Sequence, residues 1–276
     1  MKIGIVGLGL MGGSLGLALK KASTKYILIG YDHNDSHKKE ALQLNLVDQV
    51  IDDFSTIKSC DVIVLTIPVD AIIATAQKLT DVDKQCTIID FGSSKEKISN
   101  AIPLVIRQNF VTAHPMTGTE NFGPKAAIEA LYTNKTMVIC DIEKSGEHQR
   151  EIALQLFEDI ESKLVFMNAK EHDRHAAFIS HMPHAVAYAL ANSVMKQENP
   201  KSILALAGGG FTSMSRIAKS SPNMWEDIFR QNRENLLESI TAFNAEMQLC
   251  QRLIEDEKWE ELHQWMSEAN RLHEIL

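Results

Sequence analysis

Ile3-Gly4-Ile5-Val6-Gly7-Leu8-Gly9-Leu10-Met11-Gly12, continued by Gly13-Ser14-Leu15-Gly16-Leu17-Ala18-Leu19, decides the fold. An apolar strand-like run leads into G-x-G-x-x-G, and the residues behind it read as a helix. Gly7 permits a tight turn, Gly9 removes a side chain where backbone must approach a pyrophosphate, and Gly12 lets helix and strand pack closely. Leu10 and Met11 complete the same turn. The helix N-terminus offers free N–H groups and partial positive charge to the phosphates. Such glycines also occur as a structural turn that binds nothing. Here the strand before and the helix after make a dinucleotide site the expected reading.

The next strand ends in Gly30-Tyr31-Asp32, with Asp32 twenty residues beyond Gly12. A carboxylate there hydrogen-bonds the adenine ribose hydroxyls and repels a 2′-phosphate, so NAD is expected over NADP. His33 and the Lys38-Lys39 pair are nearby cations that argue the other way. Thr66, Ile67 and Pro68 close a third strand-like run and are expected to line the cofactor. The alternative is that Pro68 only punctuates the loop.

Strand patterns cover residues 2–7, 26–32, 62–67, 86–91, 110–113, 136–140 and 164–167, several of them apolar at consecutive positions. That is the pattern of strands covered on both faces. Helical patterns cover 13–21, 38–44, 71–79 and 95–106. The alternation predicts an α/β, Rossmann-type, parallel, doubly wound sheet. After residue 168 only helical patterns occur, over 169–195 with an interruption near Pro183, over 224–255 and over 258–276. The expected division is a dinucleotide-binding domain at 1–168 and an all-helical substrate and dimerisation domain at 169–276. Its long apolar faces predict a homodimer.

Composition narrows the function. Among 276 residues, 36 are acidic and 28 basic, for a net charge of −8. That balance argues against nucleic acid or an anionic membrane as the main partner, yet a pocket for a small anion remains possible on an acidic protein. Cys60, Cys86, Cys140 and Cys250 form no C-x-x-C pair and fit no zinc spacing, so buried free thiols in a reducing compartment are expected. No apolar run reaches the ~18 residues of a membrane span, and no signal peptide is expected before the first strand. A cytoplasmic location is expected.

Polar residues cluster after the strands. Asp90-Phe91-Gly92-Ser93-Ser94-Lys95 places small hydroxyls beside the expected nicotinamide position, and one of the two serines is expected to cap the following helix. His114, restricted by Pro115 and followed by Met116-Thr117-Gly118-Thr119-Glu120, titrates near neutrality and can accept a hydroxyl proton. His172, His175, His181 and His184 cluster too closely to ignore, but without H-E-x-x-H or a good third ligand no metal is expected. Ser180-His181-Met182-Pro183-His184 is expected to present one or two imidazoles at a helix bend. Gly208-Gly209-Gly210 allows close backbone approach, and Arg216 can hold a carboxylate in a bidentate pair or sit on the surface beside an acid. Trp225 is either core or pocket wall.

Taken in order, the N-terminal G-x-G-x-x-G with Asp32, Gly92-Ser93-Ser94-Lys95, His114-Pro115-Met116-Thr117-Gly118, His181-Met182-Pro183-His184 and Ser215-Arg216-Ile217-Ala218 before Trp225 resemble the motifs of the prephenate dehydrogenase family, which includes arogenate and cyclohexadienyl dehydrogenases. The resemblance runs over nearly the whole chain. It implies NAD-dependent oxidative decarboxylation of prephenate to 4-hydroxyphenylpyruvate in tyrosine biosynthesis. It implies His114 as the base that takes the ring hydroxyl proton, with Ser93 orienting His114 and the hydroxyl and also touching the cofactor. His184 would meet the pyruvyl side, Arg216 a carboxylate in a dry pocket, and His181, Gly209 and Trp225 the remaining substrate surface. No metal is implied, because aromatisation drives the decarboxylation.

One departure is visible. The family often has an Asp shortly before this Arg, where Ser213 stands, so Arg216 is expected to lack that acidic neighbour. Neither a chorismate mutase segment nor a C-terminal regulatory domain is expected, so any tyrosine feedback is expected to act at or near the active site. Prephenate and arogenate both fit the resemblance. The rivals are another Rossmann-plus-helical oxidoreductase acting on a hydroxy acid or an imine, and a non-catalytic NAD-sensing dimer.

Overall fold

The computed structural model describes residues 1–22 and 25–275. Its eight strands are β1 (Lys2–Val6), β2 (Ile27–Tyr31), β3 (Gln49–Val50), β4 (Val62–Leu65), β5 (Thr87–Asp90), β6 (Phe110–Pro115), β7 (Thr136–Cys140) and β8 (Lys163–Met167), in the sheet order β3-β2-β1-β4-β5-β6-β7-β8. Alternate residues enter opposite faces. Val62 and Val64 of β4 join Ile3, Ile5, Leu15 and Phe157 in one core, while Ile63 and Leu65 join Val6, Ile72, Ile88 and Phe110 in the other. Both faces are therefore covered, as the runs of apolar residues require.

Around the sheet lie α1 (Leu10–Ala22), α2 (Asp35–Gln43), α3 (Val69–Lys78), α4 (Glu96–Ala101) and α5 (Glu147–Asp159). The expectation of an all-parallel sheet needs one correction: β7 runs antiparallel to β6. The chain from Met116 to Lys135 forms no crossover α-helix, so it returns beside β6 in the opposite sense. β8 is parallel to β7 again, with α5 as its crossover. The pattern read as a helix over 95–106 is α4 plus a separate 3₁₀ turn at Leu104–Ile106, divided by Pro103.

Beyond β8 the described residues are helical: α6 (Ala169–Ala176), α7 (Met182–Met195), α8 (Pro200–Leu204), α9 (Gly209–Ser215), α10 (Pro222–Gln231), α11 (Arg233–Glu255) and α12 (Trp259–Asn270). The break expected near Pro183 is a π-helical turn over Ala177–His181, with Pro183 inside the first turn of α7, where a missing N–H costs nothing. The pattern over 224–255 divides at Asn232 into α10 and α11. The pattern over 258–276 is α12 and a short 3₁₀ turn, with Leu276 outside the described residues. Cys60, Cys86 and Cys140 are buried free thiols, while Cys250 is only partly buried, because it sits on α11.

Candidate active site

The cofactor cradle is built by β1, α1 and β4. Gly7 has φ +96°, and its N–H donates to Tyr31 O at 2.8 Å. Thr66 donates its hydroxyl to Gly7 O at 2.7 Å and Val6 O at 3.0 Å, so it braces the turn from beneath. A Cβ on Gly12 would meet Gly7 O at 1.9 Å, whereas one on Gly9 would meet nothing within 4 Å. Gly12 is thus spent on packing, and Gly9 faces open space of the kind a pyrophosphate needs. No acidic side chain stands in the first turn of α1 to oppose a phosphate. These residues fit a dinucleotide.

Asp32 is buried at the end of β2, and its carboxylate accepts N–H from Leu8 and Asn34, each at 2.8 Å. It therefore fixes the glycine loop to the end of β2. His33 and His37 approach it at 3.5 and 3.4 Å. Lys38 is turned away between Asp35 and Asp52. Ile67 packs under Gly7, and Pro68 is exposed at the start of α3. Tyr132 bonds Met11 O at 2.6 Å, holding the loop before β7 against Leu10–Met11.

His114 sits near the end of β6, on the carboxyl edge of the sheet. Its Nδ1 is 2.8 Å from His172 Nε2, and His172 Nδ1 is 2.8 Å from Asp173 Oδ1. Asp173 also accepts the Lys95 N–H at 2.7 Å and the Glu96 N–H at 2.9 Å. The expected serine cap is therefore corrected: neither Ser93 nor Ser94 caps α4, because a carboxylate from α6 takes both N–H groups, and buried Ser94 Oγ has no partner. The expected orienting bond from Ser93 is corrected as well. The side chain bonded to His114 is His172, and Ser93 stands partly buried without a bond to it.

Beneath this row Lys95 is fully buried, ion-paired with Asp90, and donates to Ala113 O at 2.7 Å. Burial holds His114 well below the usual imidazole range, and the nearby Lys95 ammonium acts in the same direction. His181 is buried, accepts from Asn232 Nδ2 at 3.1 Å, and is pushed down to about 4 by burial. His184 donates Nδ1–H to Ser180 O at 2.9 Å and stacks on Trp225 with ring centroids 3.5 Å apart. Burial lowers it too, aided by the Arg216 charge. Trp225 is buried, its indole N–H has no partner, and its ring also meets His181 edge-on. It is therefore both core and wall.

Arg216 departs from expectation. In the single chain its side chain is 59% exposed rather than in a dry pocket, and its Nη1 lies 3.6 Å from Glu120 Oε2. An acidic neighbour is thus present, supplied by the loop after His114, while Ser213 is exposed. Gly209 opens α9 in open space, where an added Cβ would meet nothing within 4 Å. His175 is exposed. Among the described residues no three His, Cys, Asp or Glu side chains are disposed to hold a metal ion.

Lys95, Asp90, His172, Asp173 and Asn232 were not legible as site residues. Asp90 and Lys95 stood in a quoted motif and His172 in the histidine cluster, but no local rule ties His172 and Asp173 to a strand 58 residues away, and nothing local marks Asn232.

Known proteins share this architecture. A protein-family model described as "Prephenate dehydrogenase, nucleotide-binding domain" matches residues 15–166, and one described as "Prephenate dehydrogenase, dimerization domain" matches 168–268. The chain is 32% identical over 271 residues to the prephenate dehydrogenase of Bacillus subtilis, covering 96% of this chain and 73% of that protein. It is 28% identical to the cyclohexadienyl dehydrogenase of Zymomonas mobilis, over 98% and 94% of the two chains. A crystal structure of prephenate dehydrogenase from A. aeolicus, in complex with hydroxyphenyl propionate and NAD+, superposes with a TM-score of 0.93 at 31% identity, over 100% and 98% of the chains. Synechocystis arogenate dehydrogenase gives 0.83 at 28% identity, over 100% and 99%.

Proposed function

The chain belongs to the prephenate dehydrogenase family and is an NAD-dependent dehydrogenase, and from that premise we propose that its substrate is prephenate, converted to 4-hydroxyphenylpyruvate and carbon dioxide. The observation that carries the reading is His114: an imidazole on the carboxyl edge of the nucleotide-binding sheet, with Nδ1 engaged and Nε2 free of any hydrogen bond among the described residues. Burial keeps it neutral, the form that accepts a proton.

When bound in the glycine cradle, NAD supplies the hydride acceptor. His114 takes the proton of the ring hydroxyl, whose oxygen becomes a carbonyl as the ring carbon gives up its hydride. The ring carboxylate leaves as carbon dioxide, its electron pair restores aromaticity, and the proton ends on the phenol oxygen. Ser93, His181, His184, Trp225 and Arg216 form the substrate surface in this reading, with Arg216 meeting a carboxylate and His184 the pyruvyl end. Gly209 belongs to the same surface in this reading. Gly7, Gly9, Leu10, Met11, Gly12, Asp32, Thr66, Ile67, Pro68 and Ser93 surround the cofactor.

The division at residue 168 and a homodimer through the helical part belong to the same proposal. They are supported by the two family matches and by apolar side chains left exposed on α11 and α12. The cytoplasm is the proposed compartment, on the unpaired state of the four cysteines.

The deciding assay pairs NAD and NADP with prephenate and arogenate. Prephenate-dependent NADH formation is expected. Turnover of arogenate alone would move the enzyme to the arogenate branch of the family, and turnover of neither would sink the reading. His114→Asn should cut kcat by about 10²–10⁴-fold, the usual worth of a positioned base, with prephenate Kd little changed. Unchanged kcat would remove His114 as the base.

A further inference from the structure

We propose that His172 and Asp173 are a positioning pair that holds His114 in the tautomer carrying its proton on Nδ1, which leaves the Nε2 lone pair for the substrate hydroxyl. The proposal rests on His114 being the base. It follows from the direction in which donors must run. Ionised Asp173 can only accept, so the His172 nitrogen 2.8 Å away, Nδ1, must donate to it. Neutral His172 then has its lone pair on Nε2, and the His114 nitrogen 2.8 Å from that atom, Nδ1, must donate in turn. The reverse assignment would set a bare nitrogen against a carboxylate, or would need His172 charged. Burial, with the nearby Lys95 ammonium, outweighs the Asp173 and Asp90 carboxylates and holds His172 below the usual imidazole range.

The pair is anchored independently of solvent. Asp173 is pinned by the Lys95 and Glu96 N–H groups at the start of α4, and its own carbonyl accepts from Asn232 Nδ2 at 2.6 Å. The two rings stand nearly edge to face, 67° apart with centroids at 5.0 Å, which aims one nitrogen at the other. When His114 becomes an imidazolium, its Nδ1–H already points at His172, and through it at the Asp173 charge. The other groups around His114 contribute differently. The Lys95–Asp90 pair beneath β6 is held by its own contact, the Ala113 carbonyl and the Gly92 N–H, and His181 is tied to Asn232. The carboxylate answering the new positive charge is therefore Asp173, acting across His172.

The test uses the full-length enzyme with ¹⁵N-labelled histidine. In the wild type, His114 is expected to show a protonated Nδ1 and an unprotonated Nε2. The opposite tautomer would overturn the proposal without any variant. His172→Leu should release His114 to the Nε2–H form and lower kcat on the order of 10²–10⁴-fold, the scale of losing a correctly protonated base. His172→Gln keeps a carbonyl oxygen to accept from Nδ1, so it should restore the tautomer and much of the rate. Asp173→Asn removes the charge that favours the imidazolium, so the acid limb of kcat/KM should move to lower pH. A merely structural role would lower stability without moving that limb. An unshifted limb in Asp173→Asn together with a wild-type His114 tautomer in His172→Leu would refute the pair. If His114→Asn is inactive in the same series, the base assignment survives that refutation; if His114→Asn is fully active, the base assignment falls first.

Discussion

Lys95 shows how much a single side chain can carry in this fold. It is wholly buried with Asp90, and its ammonium also holds the Ala113 carbonyl just before His114. One carboxylate oxygen, Asp90 Oδ1, has no partner. Truncating one member of such a pair strands the other in hydrocarbon. Lys95→Met should therefore destabilise the protein by about 3–5 kcal/mol, read by urea denaturation. Lys95→Met combined with Asp90→Leu should cost less than Lys95→Met alone. Equal losses in the single and double variants would mean the stranded charge is not the cause. His114, by contrast, was readable from the sequence, because its chemistry and its place after a strand are both local.

At the scale of elements, the glycine turn separates two jobs that the motif combines. Gly12→Ala drives a Cβ to within 1.9 Å of Gly7 O and 2.6 Å of Thr66 Oγ1, so α1 must back away from β1. A loss of about 1–3 kcal/mol is expected from such overpacking. Gly9→Ala meets nothing within 4 Å, so the melting temperature should hold while NAD Kd rises roughly tenfold or more, about 1.4 kcal/mol. Calorimetric titration beside thermal melts checks both. Wild-type NAD affinity in Gly9→Ala would contradict the cradle. Seven strands of the sheet and the helices α1 to α4 were legible from periodicity, whereas the two-residue β3 and the helix α5 were not. The break at Asn232 was not, since no Gly or Pro marks it. It arises where the Asn232 side chain bonds Asp173 O and His181 across space.

For the whole molecule, the buried imidazoles set the response to acid. His181 stays neutral down to about 4, while in the unfolded chain it takes a proton near 6.5, so the unfolded state binds more protons between those values. Its contribution is fully present above pH 6.5 and lost as the pH falls toward 4, on the order of 3 kcal/mol in all. His114, His172 and His184 act in the same direction. The melting temperature should thus fall steadily from about pH 7 to about pH 5; a flat profile would count against neutral burial. The second whole-molecule expectation concerns assembly. Met247 and Ile254 lie one above the other on α11, each about half exposed, beside a groove that also includes Asn244 and Gln251. Ile254→Lys should shift sedimentation toward monomer, and an unchanged dimer would place the interface elsewhere.

The sequence by itself determined the α/β class, the glycine turn, the placing of His114 at a strand's carboxyl end and the family, because each depends on residues within one turn, one strand or one short motif. Tertiary structure alone decided the antiparallel return of β7, the capping of α4 by Asp173, the burial of Lys95 and the contact of His172 with His114. Those depend on groups far apart in the chain meeting in a space that excludes water. There each buried donor and charge must find its partner, whatever its sequence distance.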